Sequence, residues 1–244
     1  MAAVKGLSLD LQAGEVLGIG GPNGAGKTTL FELISGLNPP DTGEISLEGR
    51  RIEHLPPHSI CHLGIARTFQ SNAAFEKLTA RQNVLVAAAY GASARGLPPL
   101  WFDQETTQRA EWAFDLVGFR ESPDTIARNL PVLDRKLLMI ASAIVTRPKL
   151  LLMDEPVGGL NPEEIGLVMD LVRKLIAQGI TIMLIEHVMR FLVQLSTRVI
   201  IMHHGENIFT GPPADLARDE TVKRVYLGEM MSRHIAEYTT ASGA

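Results

Sequence analysis

The nine residues 21–29, GPNGAGKTT, have the composition and spacing to hold a polyphosphate. They match G-x-x-x-x-G-K-[ST]. Gly21, Gly24 and Gly26 let the backbone bend closely, so that several N–H groups aim at one anion. Pro22, Asn23 and Ala25 fill the bend, and Thr29 follows it. The positive end of the next helix adds to the attraction. Lys27 can reach β- and γ-phosphate oxygens, and the Thr28 hydroxyl can hold Mg²⁺.

A second stretch complements the first. LLLMDEP, residues 150–156, is an apolar strand ending in acid. In open α/β sheets, ligands sit beyond the carboxyl ends of the strands. Asp154 would bind Mg²⁺ there, directly or through water, and Glu155 would polarise a water aimed at the γ-phosphate.

These residues need elements to position them. GEVLGIGG reads as a buried strand before the glycine loop, and GKTTLFELISGL as the helix after it. NPPDTGEISLEGRRI gives turn, strand, turn, strand, and GIARTFQ a further strand ending at Gln70. From about residue 71 the pattern is helical. Thr79 is the N-cap of LTARQNVLVAAAYGA, a second helix runs from near Asp103 to Gly118, and a third begins near Asp134 and stops before Pro148. Strands and helices then alternate. Asn161 caps a long helix with Pro162 at its first position, ITIMLIEH is a buried strand, RVIIMHHGENIFTG a hairpin, and short helices close the chain. Near-continuous apolar strands between amphipathic helices imply a parallel sheet covered on both faces, an α/β fold.

Composition narrows the function. The 244 residues carry 45% hydrophobic side chains and a net charge of −4, so a real core can form and no broad basic footprint exists for nucleic acid. The single cysteine, Cys61, can build neither a disulfide nor a cysteine zinc site, which fits a reducing compartment. No signal peptide and no apolar run of membrane-spanning length is visible. Work at a membrane would therefore need another subunit.

With these motifs in place, the sequence resembles the ATP-binding subunits of ABC transporters over nearly its whole length. RTFQ places Gln70 at the family's Q-loop glutamine, DEPVGGLNPEE joins the second acidic motif to the D-loop, and LIEHVM places His187 at the switch histidine. QNVLVAA, GLNPEE, IEH and a terminal YLGE look like the branched-chain amino-acid uptake subfamily, with urea and lipopolysaccharide-export relatives sharing some of them. The resemblance implies a P-loop NTPase (RecA-like) core, residues 1–70 and 148–244, with a small antiparallel β subdomain. It also implies an inserted helical subdomain, residues 71–147. ATP and Mg²⁺ would be the ligands, with Gln70 touching the metal or the attacking water and His187 the γ-phosphate. FQSNAAFEKL would either line a groove for a membrane permease subunit or pack as ordinary core. The expected location is cytoplasmic, held peripherally at the inner face of the cell membrane through permease subunits. A non-catalytic ATP-sensing subunit, or a soluble ABC ATPase without a transporter, are the other readings.

Two departures stand out. Family members work as dimers in which each ATP lies between one chain's phosphate loop and the other's LSGGQ-like signature. Here that place is LPVLD, residues 130–134. Pro131 offers neither hydroxyl nor N–H, Leu133 adds bulk, and Asp134 is expected to cap the following helix and to repel a γ-phosphate. A heterodimer with one competent and one impaired ATP site is therefore expected in preference to a homodimer. The isolated chain should hydrolyse ATP poorly, and Pro131→Ser, Leu133→Gly and Asp134→Gln should restore it. The second departure is the lack of a Tyr, Phe or Trp before Phe31 to stack on adenine.

Overall fold

The computed structural model describes residues 2–69, 74–91, 102–216 and 218–225. Its frame is a six-stranded sheet in the order β4-β5-β6-β1-β7-β8, with β1 Val16–Gly20, β4 Ile65–Arg67, β5 Leu150–Asp154, β6 Thr181–Ile185, β7 Arg198–His203 and β8 Glu206–Gly211. All neighbours are parallel except β7 and β8, which form the hairpin read from the sequence. A separate antiparallel pair, β2 Ser46–Leu47 and β3 Arg50–Arg51, makes the small second sheet.

The apolar strands alternate between two cores, as a sheet buried on both faces requires. Val16, Leu151, Met153, Ile182, Leu184, Val199 and Ile201 face one side, where the helices α3 Ala80–Tyr90, α4 Gln104–Val117, α5 Val132–Ile144, α6 Pro162–Ala177 and α7 Met189–Leu195 lie. Leu17, Ile19, Leu150, Leu152, Met183, Ile185, Ile200 and Met202 face the other, where they meet α1 Lys27–Ile34 and α2 Pro57–His62. Helices α3, α4 and α5 pack on one another, as an inserted helical unit would.

The helix punctuation follows local chemistry. Thr79 and Gln82 form a reciprocal capping box on α3, Asp103 caps α4, and Gly118 ends α4 at φ 65°. Asn161 and Glu164 box the start of α6, with Pro162 at its first position.

Three elements depart from the sequence reading. β4 stops at Arg67, and Gln70 lies outside the described residues. Helices α2 and α7 were not anticipated: each is a single short run, six and seven residues, with no side-chain cap to signal it. The third helix starts at Val132 with Pro131 as N-cap, two residues before the expected start. Proline there needs no N–H and stands in an extended conformation, φ −55°, ψ 161°, from which a helix can begin.

Candidate functional site

Three adjacent parallel strands, β5, β6 and β1, end at the same edge of the sheet. They deliver Asp154 and Glu155, Glu186 and His187, and the glycine loop to one place. The loop itself is tightly constrained. Gly26 sits at φ 99°, and a Cβ there would lie 2.1 Å from the Ala3 carbonyl oxygen, so only glycine fits. Gly21, at φ 136°, is equally confined by the Met202 carbonyl. Lys27 is buried, and its ammonium donates to the carbonyls of Gly21 at 2.6 Å and Pro22 at 2.8 Å. Its charge thus points into the loop that an anion would fill. Asn23, Gly24 and Thr28 are exposed, Ala25 is buried and Thr29 half-buried.

Asp154 is buried at the end of β5, and burial pushes its carboxyl up from the ordinary aspartate range. Arg67 pulls it back down through a 3.1 Å hydrogen bond to Oδ2, and Lys27 contributes at longer range. The other oxygen, Oδ1, is buried without a hydrogen-bond partner. An orphaned carboxylate oxygen at this edge is the donor that a hard divalent cation takes. These residues fit Mg²⁺: Asp154 and the exposed Thr28 hydroxyl are the groups that would hold it.

Glu155 occupies the left-handed region, φ 48°, which is uncommon for a residue with a side chain. Its backbone is held on both sides. The Glu155 N–H donates to Ile185 O at 2.9 Å, and Lys136 of α5 donates to the Glu155 carbonyl at 2.8 Å. The His187 Nε2–H donates to Glu155 Oε1 at 2.8 Å, which joins the two residues that sequence placed 32 positions apart. Lys136 pays for its position with desolvation, which lowers its pKa, while Glu186, Glu155 and Asp154 oppose that shift.

Glu186 was missed in the sequence reading. It is 2% exposed, and its carboxylate accepts from Val157 N at 3.0 Å, His187 N at 3.0 Å and Val188 N at 3.2 Å. Burial raises its pKa and the three N–H groups resist the rise. It clamps the histidine turn to the turn after β5. The available signal was an acid ending an otherwise apolar strand, next to His187.

The structure corrects the reading of LPVLD. Asp134 does not cap α5 and does not face outward. It is 4% exposed, and its Oδ1 accepts from Arg120 N at 3.0 Å and Glu121 N at 3.3 Å, in the connection between α4 and α5. Its carboxylate is thus turned to these two N–H groups and is not presented at the surface. Leu133 is likewise buried in the helical core. The exposed part of the sequence is Pro131 and Val132, the latter 51% exposed.

Beside this edge lies an apolar cavity of about 390 Å³. It is lined by Leu37, Cys61, Arg67, Phe69, Phe75 and Met139, among others, and Phe69 and Phe75 are 40% and 58% exposed. Residues 69 and 75 are therefore not ordinary core. No described helix is long and apolar enough to cross a membrane.

Comparison with known proteins agrees with this geometry. The ABC transporter family model matches residues 4–158. The high-affinity branched-chain amino acid transport ATP-binding protein LivG of Salmonella typhimurium is 35% identical over 237 residues, covering 94% of this chain and 93% of LivG. The lipopolysaccharide export system ATP-binding protein LptB of Acidithiobacillus ferridurans is 33% identical, covering 93% and 90%. The ADP conformation of a solved ABC transporter ATP-binding cassette superimposes with a TM-score of 0.82 at 28% identity, covering 93% and 92%. A likeness this extensive, in sequence and fold alike, makes the chain a member of the ABC transporter family, one of its ATP-binding subunits and an ATPase.

Proposed function

We propose that the chain is the ATP-hydrolysing subunit of an importer for branched-chain or chemically similar amino acids. The single observation that carries the hydrolytic part is the His187–Glu155 contact of 2.8 Å beside the glycine loop. Residues 21–29 hold the triphosphate, with Lys27 leaving the Gly21 and Pro22 carbonyls for phosphate oxygens. Glu155 orients a water, and His187 holds Glu155 and then the γ-phosphate side of the site. Bound Mg²⁺ would neutralise the developing charge between the β- and γ-phosphates. Gln70 keeps its proposed role at the metal or the water. The LivG likeness supports the solute class, and the LptB likeness shows why the solute must be tested directly.

The partners are transmembrane permease subunits, seated on the apolar groove at Phe69 and Phe75, and a second ATPase chain. The groove's exposed aromatics support the first. Pro131 supports the second: without a hydroxyl at the exposed start of α5, this chain offers its partner a weaker phosphate contact. We place that weakness in Pro131 and Val132, not in Asp134. The heterodimer remains the favoured assembly, with this chain's own loop in the competent site. Residues 71–147 are proposed to move as the helical unit, and the subunit to sit on the cytoplasmic face of the membrane through the permease.

The test is reconstitution with the permease subunits, with and without a second ATPase chain. Solute-stimulated hydrolysis that needs the second chain, and that Glu155→Gln abolishes, is the expected result. Full activity with this chain alone would overturn the heterodimer, and solute-independent hydrolysis would overturn the importer.

A further inference from the structure

Arg67 belongs to β4 and pairs with Leu152 of β5. Side chains repeat every two residues along a strand, so Arg67 shares a face with Asp154, two residues beyond Leu152. The register therefore sends a guanidinium to the proposed metal ligand. Both side chains are buried, 6% and 1% exposed.

The pair is nevertheless incomplete. A structural arginine–carboxylate pair commonly uses two parallel bonds. Here one Nη2 bond of 3.1 Å reaches Oδ2, while Asp154 Oδ1 and Arg67 Nε both lie buried without partners. On its other side, Arg67 already has contacts that do not involve Asp154. Its Nη1 donates to Ser35 Oγ at 3.4 Å, and its guanidinium lies 5.7 Å from the Phe31 ring and 5.1 Å from the Phe69 ring. Such cation–π contacts are favourable in desolvated surroundings. Arg67 and Phe69 also line the apolar groove together.

We infer that Arg67 is a positioning residue: it holds Asp154 by Oδ2 while no divalent cation is bound, loses that bond when a cation takes Oδ1, and passes that exchange to Phe69 in the groove. The inference rests on the ATP and Mg²⁺ reading of the site. A divalent cation at Oδ1 would repel the guanidinium held at Oδ2 of the same buried carboxylate. An Asp154 paired with Arg67 nine times in ten would show an apparent Mg²⁺ affinity about tenfold weaker than an unpaired one.

The experiment titrates Mg²⁺ into the full chain with a fluorescent, non-hydrolysable ATP analogue, after a reference measurement in EDTA. Wild type, Arg67→Gln and Arg67→Lys are compared. The Mg²⁺ midpoint should fall about tenfold in Arg67→Gln and by less in Arg67→Lys. An unmoved midpoint in both would make the guanidinium merely structural, and a raised one would make it a helper of the metal; either overturns the inference. Should Arg67→Gln not fold, Arg67→Lys decides by the same criterion. Cys61, which lines the groove, reports the second half. Its modification by a maleimide should slow severalfold when Mg²⁺ joins the bound analogue in wild type, and stay constant in Arg67→Gln. A wild-type rate indifferent to Mg²⁺ overturns the transmission to Phe69. Failure of the analogue to bind under any condition would instead overturn the ATP reading itself.

Discussion

Asp134 accepts a hydrogen bond from the backbone N–H of Arg120 at 3.0 Å, and by doing so turns its charge toward the connection that precedes α5 and away from the surface. The consequence is testable. Asp134→Ala takes a charged acceptor from the Arg120 and Glu121 N–H groups and should cost about 1.5–3 kcal/mol of stability, read by denaturant melts. Asp134→Asn keeps an acceptor oxygen and should cost about 1 kcal/mol. Neither should raise hydrolysis by the isolated chain. A marked gain in Asp134→Asn would return the carboxylate to the dimer surface.

The exposed start of α5 behaves differently. Restoring a hydroxyl and a small residue with Pro131→Ser and Val132→Gly changes only surface positions. Self-hydrolysis should rise, by about tenfold or more if the hydroxyl reaches the phosphate as an electrostatic donor. Leu133→Gly, by contrast, empties part of the core and should cost about 2–5 kcal/mol. Steady-state ATPase assays and melts on the same samples separate the two effects.

Glu186 is expected to act through His187. Both of its oxygens accept from backbone N–H groups, so Glu186→Gln turns an amide NH₂ toward at least one of them. Hydrolysis in the reconstituted complex should fall about tenfold while nucleotide affinity stays within about twofold, since His187 is displaced and the glycine loop is not. Equal loss of binding and turnover would show that Glu186 supports the fold alone.

Acid stability should depend on Glu53. Its own backbone N–H, then Arg51 at 2.6 Å and Ile45 N at 3.3 Å, hold its carboxyl at about 2, below the ordinary 4.5. A carboxyl lowered by folding favours the folded state when charged. Its contribution is complete above pH 4.5 and is lost as the pH falls toward 2. Glu53→Gln should therefore flatten the stability profile in that window and lower stability at neutral pH. An identical acid limb in wild type and variant would remove Glu53 from the account.

The catalytic assignment has its own check. Glu155→Gln should lower turnover in the complex by about 10²-fold or more, with ATP still bound. His187→Ala should lower it as well, because the 2.8 Å contact to Glu155 is lost.

Sequence alone determined the parts whose chemistry is local. Glycines at 21, 24 and 26, a lysine and a hydroxyl define the phosphate loop whatever surrounds them, because backbone freedom and charge are properties of those residues. Apolar runs ending in acid or histidine announced buried parallel strands, and Thr79, Asp103 and Asn161 announced helix starts through their own side chains. Tertiary structure decided whatever depends on direction. Asp134 looks like a cap in sequence, yet Pro131 begins the helix two residues early, and that places the carboxylate on an inward face. The roles of Glu186, Lys136 and Arg67 are likewise invisible without the sheet register and the packing of α5, since each acts on a group that is distant in sequence or hidden in a neighbour's backbone. Spacing along a chain fixes which groups are present; only the paired strands fix which of them share a face and meet.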